Sequence, residues 1–166
     1  MKFSAQEEYG IRCLIRIGKA YRVNKALTIP EISNSEGISQ HNVGKLLRIL
    51  RLGGFLESER GQTGGYTLSR SPAEIKIGDV LNVLGGRLYD ESFCNTHSGA
   101  VSICTNSVEC SVRSLWKIIQ DSVDQVIDKL TLNDLLGSED ALFNLVNLTE
   151  EDFPSDGKFN RVGSSN

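Results

Sequence analysis

A short helix, a glycine turn and a second helix, then a glycine-rich hairpin, and near the end a long heptad-patterned helix: these three features predict the fold class. It is mainly α with a small β-hairpin, a winged helix-turn-helix plus a long C-terminal dimerisation helix. The helix pair is carried by Thr28, Pro30, Glu31, Gly37 and Ser39. The hairpin tip is Gly61-Gln62-Thr63-Gly64-Gly65. The last helix repeats Val112, Trp116, Ile119, Val123, Val126 and Leu130 at spacings of 4, 3, 4, 3 and 4. On this reading the chain divides into a DNA-binding domain at 1–88, a cysteine loop at 89–110, a dimerisation helix at 111–136 and an acidic, weakly ordered tail at 137–166.

In chain order, residues 4–22 read as a helix. Ser4 caps it with Glu7 as capping-box partner, and Tyr9, Cys13, Leu14, Ile17, Ala20 and Tyr21 give one apolar face. Cys13 lies on that face and reads as core. Thr28 and Glu31 cap a second helix that Gly37 ends, and Ser39 caps a third at about 40–52. Strands are expected at Phe55–Arg60 and Tyr66–Ser69. Ser71 is expected to cap one further helix holding Ile77, Val80, Leu81 and Leu84, and Ser111 to cap the last helix at about 112–129. Leu142–Val146 has the composition of a short docking helix within the tail.

The third helix carries the first functional signal. Val43, Leu46, Leu47 and Leu50 share one face, whereas His41, Lys45 and Arg48 share the opposite one, with Gln40 and Asn42 beside them. Donors grouped in the first turn of such a helix suit base edges in a major groove, with Ser39 at its cap. Arg60, Gln62 and Thr63 at the hairpin tip suit phosphate or a minor groove. Charge supports this placement. Residues 1–88 hold 13 basic and 8 acidic residues, and residues 89–166 hold 5 and 13, within a total of −3. Phosphate binding needs a local positive face, which the first half supplies.

The heptad helix fits a second copy of the chain, since helix-turn-helix proteins read paired half-sites; an intramolecular amphipathic helix has the same pattern. The sequence has no run of 18 apolar residues and no signal-peptide core near Met1, so a cytoplasmic protein without a membrane is expected. Its only histidines are His41 and His97, and it lacks a phosphate loop and a nucleophile motif, so an enzyme is not expected.

Cys94, Cys104 and Cys110 are spaced Cys-x9-Cys-x5-Cys in a polar segment with no apolar period, which points to thiol or metal chemistry rather than packing. The Cys-x2-Cys pairs of zinc ribbons are missing. Thiolates are the usual holders of iron–sulfur clusters. His97 is a competing ligand within the same segment. A metal-free switch, with Cys104 and Cys110 forming a disulfide on oxidation, is the alternative. A winged-helix interaction module that has lost DNA binding is a third reading.

Ser-Glu-Arg-Gly-Gln-Thr-Gly-Gly-Tyr at 58–66 with Ile77-Gly78-Asp79-Val80 downstream resembles the IscR/NsrR/RirA family of bacterial winged-helix repressors, over roughly residues 1–136. The resemblance implies a homodimeric transcription regulator, a repressor, whose three cysteines hold an iron–sulfur cluster that senses iron, redox state or nitric oxide. A 4Fe–4S cluster is favoured over 2Fe–2S. The fourth ligand it implies is Glu8, from the partner subunit, with His97 as the alternative. Three departures stand out. Arg12 and Arg113 occupy positions where other branches carry histidine, and the first cysteine spacing is longer than the family's.

Overall fold

The computed structural model describes residues 4–59, 64–89, 92–98 and 109–150, for 95, 96, 144 and 146–150 the backbone alone. Helix α1 (Ala5–Tyr21) starts at Ser4, whose hydroxyl accepts from the Glu7 N–H while the Glu7 carboxylate accepts from the Ser4 N–H. Its buried face is Gly10, Cys13, Leu14, Ile17 and Gly18. Helix α2 (Ile29–Glu36) has the same reciprocal cap between Thr28 and Glu31. These contacts, the Thr28 backbone N–H first, then Lys25 and the Thr28 hydroxyl, hold the Glu31 carboxyl down at about 2. Gly37 ends α2 at φ +67, a left-handed conformation that glycine adopts without Cβ strain. Helix α3 (Gln40–Leu52) follows at once, capped by Ser39.

Strands β1 (Leu56–Glu59) and β2 (Gly65–Leu68) form the antiparallel wing, pairing Leu56 with Leu68 and Glu59 with Gly65. The strand before the tip thus begins one residue later than expected, and the tip residues Arg60, Gln62 and Thr63 lie outside the described residues. Leu27 pairs with Tyr66 through two backbone hydrogen bonds, of 3.0 and 2.8 Å, which joins the wing to the α1–α2 connection. Gly65 is required there: a Cβ on it would stand 2.8 Å from the Leu27 carbonyl oxygen.

The expected single helix after Ser71 is two elements. Ser71 starts a 3-10 turn at Pro72–Glu74, and α4 (Ile77–Leu84) begins separately. The break exists because Ile75–Ile77 is used in a backbone clasp. Ile77 N–H donates to the Leu130 carbonyl at 2.9 Å, Leu132 N–H donates to the Ile75 carbonyl at 2.8 Å, and Lys76 pairs with Thr131. Extended backbone at Ile75 cannot also be helical.

A four-residue helical turn, α5 (Phe93–Thr96), stands inside the segment expected to be irregular. Its aromatic contacts explain it: Phe93 stacks on His97 one turn later at 4.0 Å and meets Tyr89 and Trp116. Helix α6 (Ser111–Ile127) follows, and its N-cap is Cys110 rather than Ser111. Helices α7 (Leu132–Leu135) and α8 (Glu139–Glu150) complete the described chain. The short helix expected at 142–146 lies within α8. Ser138 accepts from the Ala141 N–H, and Glu139 and Asp140 suit its first turn. Residues 151–166 lie outside the described residues.

The core lies between α1, α2, α3, the wing and α4, and it takes two leucines from beyond α6. Leu132 is fully buried and Leu136 nearly so, both against Gly18 of α1. Gly78 and the last turn of α6 are in close contact, since a Cβ at Gly78 would collide with Asp128 and stand 3.4 Å from Ile127. Helix α6 is thus fixed at its C-terminal end. At about 1.5 Å per residue its 17 residues carry the N-terminal end roughly 25 Å away. Replacing Leu132 by Ala should lower the unfolding free energy by roughly 2–5 kcal/mol. Urea unfolding at fixed protein concentration checks this, and an unmoved midpoint would contradict the role of Leu132 as a plug.

Candidate functional site

The α3 surface divides as its sequence requires. Val43, Leu46, Leu47 and Leu50 are buried. Ser39, Gln40, His41, Asn42, Lys45 and Arg48 are all exposed, and so is Arg51, which continues the same face three residues beyond Arg48. Arg51 escaped the sequence reading, although the i, i+3 spacing from Arg48 marks it. No acidic residue occurs in α3, so the exposed face carries uncompensated positive charge within its own helix. Side chains at the start of a helix with this exposure can reach base edges, and those further along can meet phosphate.

The α2–α3 turn is held by two arginines of α1. Arg12 Nε donates to Glu36 Oε2 at 3.2 Å and its Nη2 to the Glu36 carbonyl at 2.6 Å; Arg16 Nε donates to Glu36 Oε1 at 2.7 Å. A helix-turn-helix works only if its two helices keep a fixed angle, and this clamp sits at the corner. Arg12 is thereby given a structural role at the position where the resemblance looks for histidine. Ser33 adds a hydrogen bond from its hydroxyl to the Ile38 carbonyl at 2.6 Å.

The second region gathers around Tyr89. Its Oη lies 3.9 Å from Cys94 Sγ, and its backbone N–H donates to Gln120 Oε1 at 2.9 Å. Cys110 Sγ accepts the Arg113 backbone N–H at 3.3 Å, as an N-cap does. The Tyr89 hydroxyl is pushed above its ordinary range, by partial burial first and then by the hydrogen bond and charge of Cys94. Cys110 adds to that rise and Arg113 opposes it, so both thiols and one guanidinium lie within electrostatic reach of a single ring. A groove of about 580 Å³ runs from here along α6 past Arg87, Arg113 and Lys117. Tyr89 and Gln120 were not singled out in the sequence, because neither type signals chemistry in isolation.

The remaining metal-site residues are placed as follows. Cys104 lies outside the described residues. His97 is exposed, stacked on Phe93, with Nδ1 2.9 Å from the Phe93 carbonyl oxygen. Glu8 is exposed on the first turns of α1. Among the described residues no three His, Cys, Asp or Glu side chains gather as a metal site. Cys94 and Cys110 are free thiols and match the donor chemistry of an iron–sulfur cluster in kind, and the third thiol of the segment is Cys104. Cys13 is the contrasting case, fully buried in the core.

The expected seam of α6 is largely uncovered in the single chain. Val112, Trp116 and Val126 are exposed, with Leu115 and Ile118 beside them, the last at 62 %. Ile119, Val123 and Leu130 are half-buried, Leu130 against the core.

A family profile described as Rrf2, iron-dependent transcriptional regulator, matches residues 3–138. The chain belongs to the Rrf2 family of transcriptional regulators. Its relatives include the HTH-type transcriptional regulator CymR of Bacillus subtilis, 31 % identical over 141 residues that cover 85 % of this chain and 94 % of CymR. The solved structure of that protein, described as the global cysteine regulator of B. subtilis, superposes with a TM-score of 0.65 at 30 % identity, covering 82 % of this chain and 96 % of its own. T. potens IscR superposes with a TM-score of 0.64 at 25 % identity, covering 95 % and 94 %. Winged-helix architecture and a role in transcription regulation are therefore shared with this family. No helix among the described residues is long and apolar enough to cross a membrane.

One prediction follows from Cys13. Burial first, then the Glu36 charge, with Arg12 opposing, raises its thiol from 9.0 to about 11. The unfolded chain then releases this proton before the folded one does. The contribution is full below pH 9 and is lost as pH rises from about 9 through 11, on the order of 2–3 kcal/mol. Urea titrations across that window should show the decline, and Cys13→Ala should flatten it. An equal slope in both proteins would contradict the assignment.

Proposed function

We propose that this Rrf2 protein is a homodimeric repressor whose DNA affinity is set by the sulfur chemistry of its cysteine segment. The observation that carries the reading is the position of Cys110. It caps the free end of α6, whose other end is clasped to the winged core. Chemistry at Cys110 acts on a helix that the DNA-reading unit holds rigidly.

In the preferred form, Cys94, Cys104 and Cys110 hold an iron–sulfur cluster, 4Fe–4S rather than 2Fe–2S. The family profile's description as iron-dependent and the similarity to an IscR support it. Such a cluster supplies a redox- and nitric-oxide-sensitive centre. Glu8 of the partner subunit is the proposed further oxygen ligand, and His97 the alternative. The chain's own part is mechanical. Cys110 holds the first turn of α6, Tyr89 holds the segment before Cys94, and the seam Val112, Trp116, Ile119, Val123, Val126 and Leu130 packs against the same helix of a second copy. An exposed apolar stripe of this kind costs free energy until it is covered.

The paired copies place two α3 faces on one duplex, with Ser39, Gln40, His41, Asn42, Lys45 and Arg48 toward the major groove and the wing residues Arg60, Gln62 and Thr63 toward the flanking backbone. Half-sites one helical turn apart tolerate little change in the spacing of the two helices. Operator DNA and a second copy are thus the proposed partners.

A second reading has its own support. Cys110 is a free thiol beside Arg113, and a solved relative is described as the global cysteine regulator of B. subtilis. In that form no metal is held. Cys104 and Cys110 lose two electrons and two protons to an oxidant such as a peroxide, which is reduced to water, and join as a disulfide.

Purification without air, followed by an ultraviolet–visible spectrum and iron and sulfide counts, separates the two. The preferred form gives a brown protein with close to stoichiometric iron and sulfide, lost on replacing Cys110 by Ser. A colourless, iron-free protein with titratable thiols transfers the function to the disulfide form.

A further inference from the structure

Gln120 is the one polar side chain among the described residues that is buried, at 4 % exposed. Both ends of its amide are hydrogen-bonded. Oε1 accepts the Tyr89 backbone N–H at 2.9 Å, and Nε2 donates to Asp124 Oδ1 at 2.7 Å. The other oxygen of Asp124 takes the Arg87 guanidinium. Gln120 and Asp124 are one turn apart on α6, and Arg87 and Tyr89 are two residues apart in the connection that leads to Cys94. That connection is therefore tied to the middle of α6 at two points. The Tyr89 ring continues the path, its hydroxyl beside Cys94.

A buried amide with both ends satisfied fixes register more sharply than an apolar contact, because sliding by one residue would strand the Tyr89 N–H and the amide together. Apolar packing alone would let residues 87–89 slip along α6 and absorb any movement near Cys94. We propose that Gln120 is the positioning residue that couples the cysteine segment to α6: it locks Tyr89 onto one turn of the helix, so that a displacement beginning at Cys94 moves α6. This rests on the reading that the cysteine segment controls DNA affinity. It assigns the coupling to a side chain that contacts neither sulfur nor DNA.

The test uses full-length protein and an operator fragment selected by the protein itself from a random duplex pool. Affinity is measured for protein kept without air and for the same protein after air and hydrogen peroxide. A wild-type ratio of roughly tenfold or more between the two states is expected, within the usual size of allosteric couplings. Gln120→Leu should bring the ratio close to one while leaving the tighter-binding state within about threefold of wild type. Gln120→Glu is the second variant. It accepts the Tyr89 N–H but repels Asp124, and it should lower the ratio even if the leucine variant fails to fold. A full ratio in either folded variant overturns the proposal. A wild-type ratio of one instead removes the functional reading on which it stands.

Discussion

The backbone clasp between Ile75–Ile77 and Leu130–Leu132 decides what the rest of the molecule can do. Two hydrogen bonds and one buried leucine hold the end of α6 against the core that also positions α3. The glycine of Ile77-Gly78-Asp79-Val80 belongs to the same arrangement, because a Cβ there would collide with the Asp128 carboxylate. The winged core and the long helix are therefore mechanically continuous at one end. At the other end α6 shows exposed apolar side chains and a cysteine cap. A helix fixed at one end and chemically addressable at the other is suited to carry a signal along its axis, provided its own hydrogen bonds keep it stiff over the intervening turns.

The two sulfur-bearing environments of the chain differ for a physical reason. Cys13 sits among Leu14, Ile17 and their neighbours, where a charged sulfur would have no solvation, and its proton is retained to high pH. Cys110 stands at the start of α6, where its sulfur accepts the Arg113 backbone N–H. One thiol is a packing element and the other is a helix cap. In the proposed mechanism this contrast confines chemistry to the end of the helix that can move.

Most of the fold was legible from local signals that act within a few residues. Reciprocal caps at Ser4–Glu7 and Thr28–Glu31, the turn at Gly37 and the divided faces of α3 all depend on neighbours in sequence. What escaped depends on partners far along the chain. The break before α4 exists because Ile75 pairs with Leu132, and no local pattern announces that. The helical turn at Phe93 depends on stacking with His97 and contact with Trp116, and the cap of α6 is a cysteine, a residue type not ordinarily sought there. Of the candidate site, the exposed donors of α3 were readable from periodicity. The roles of Tyr89, Gln120 and the Arg12–Arg16–Glu36 clamp were not, since each needs two or more segments brought together. Arg60, Gln62, Thr63 and Cys104 lie outside the described residues, so their expected roles stand as proposals.

The central claim is that a change at the cysteine segment alters the separation of two α3 helices through α6. The most direct measurement is the distance between paired labels on Leu52, exposed at the end of α3. The labels are attached through a non-cysteine bioorthogonal residue and read by pulsed electron resonance, in the air-free and the oxidised protein. The expected result is a distance that shifts by several ångströms between the two states. An unchanged distance, in protein whose DNA affinity does change, would contradict the claim.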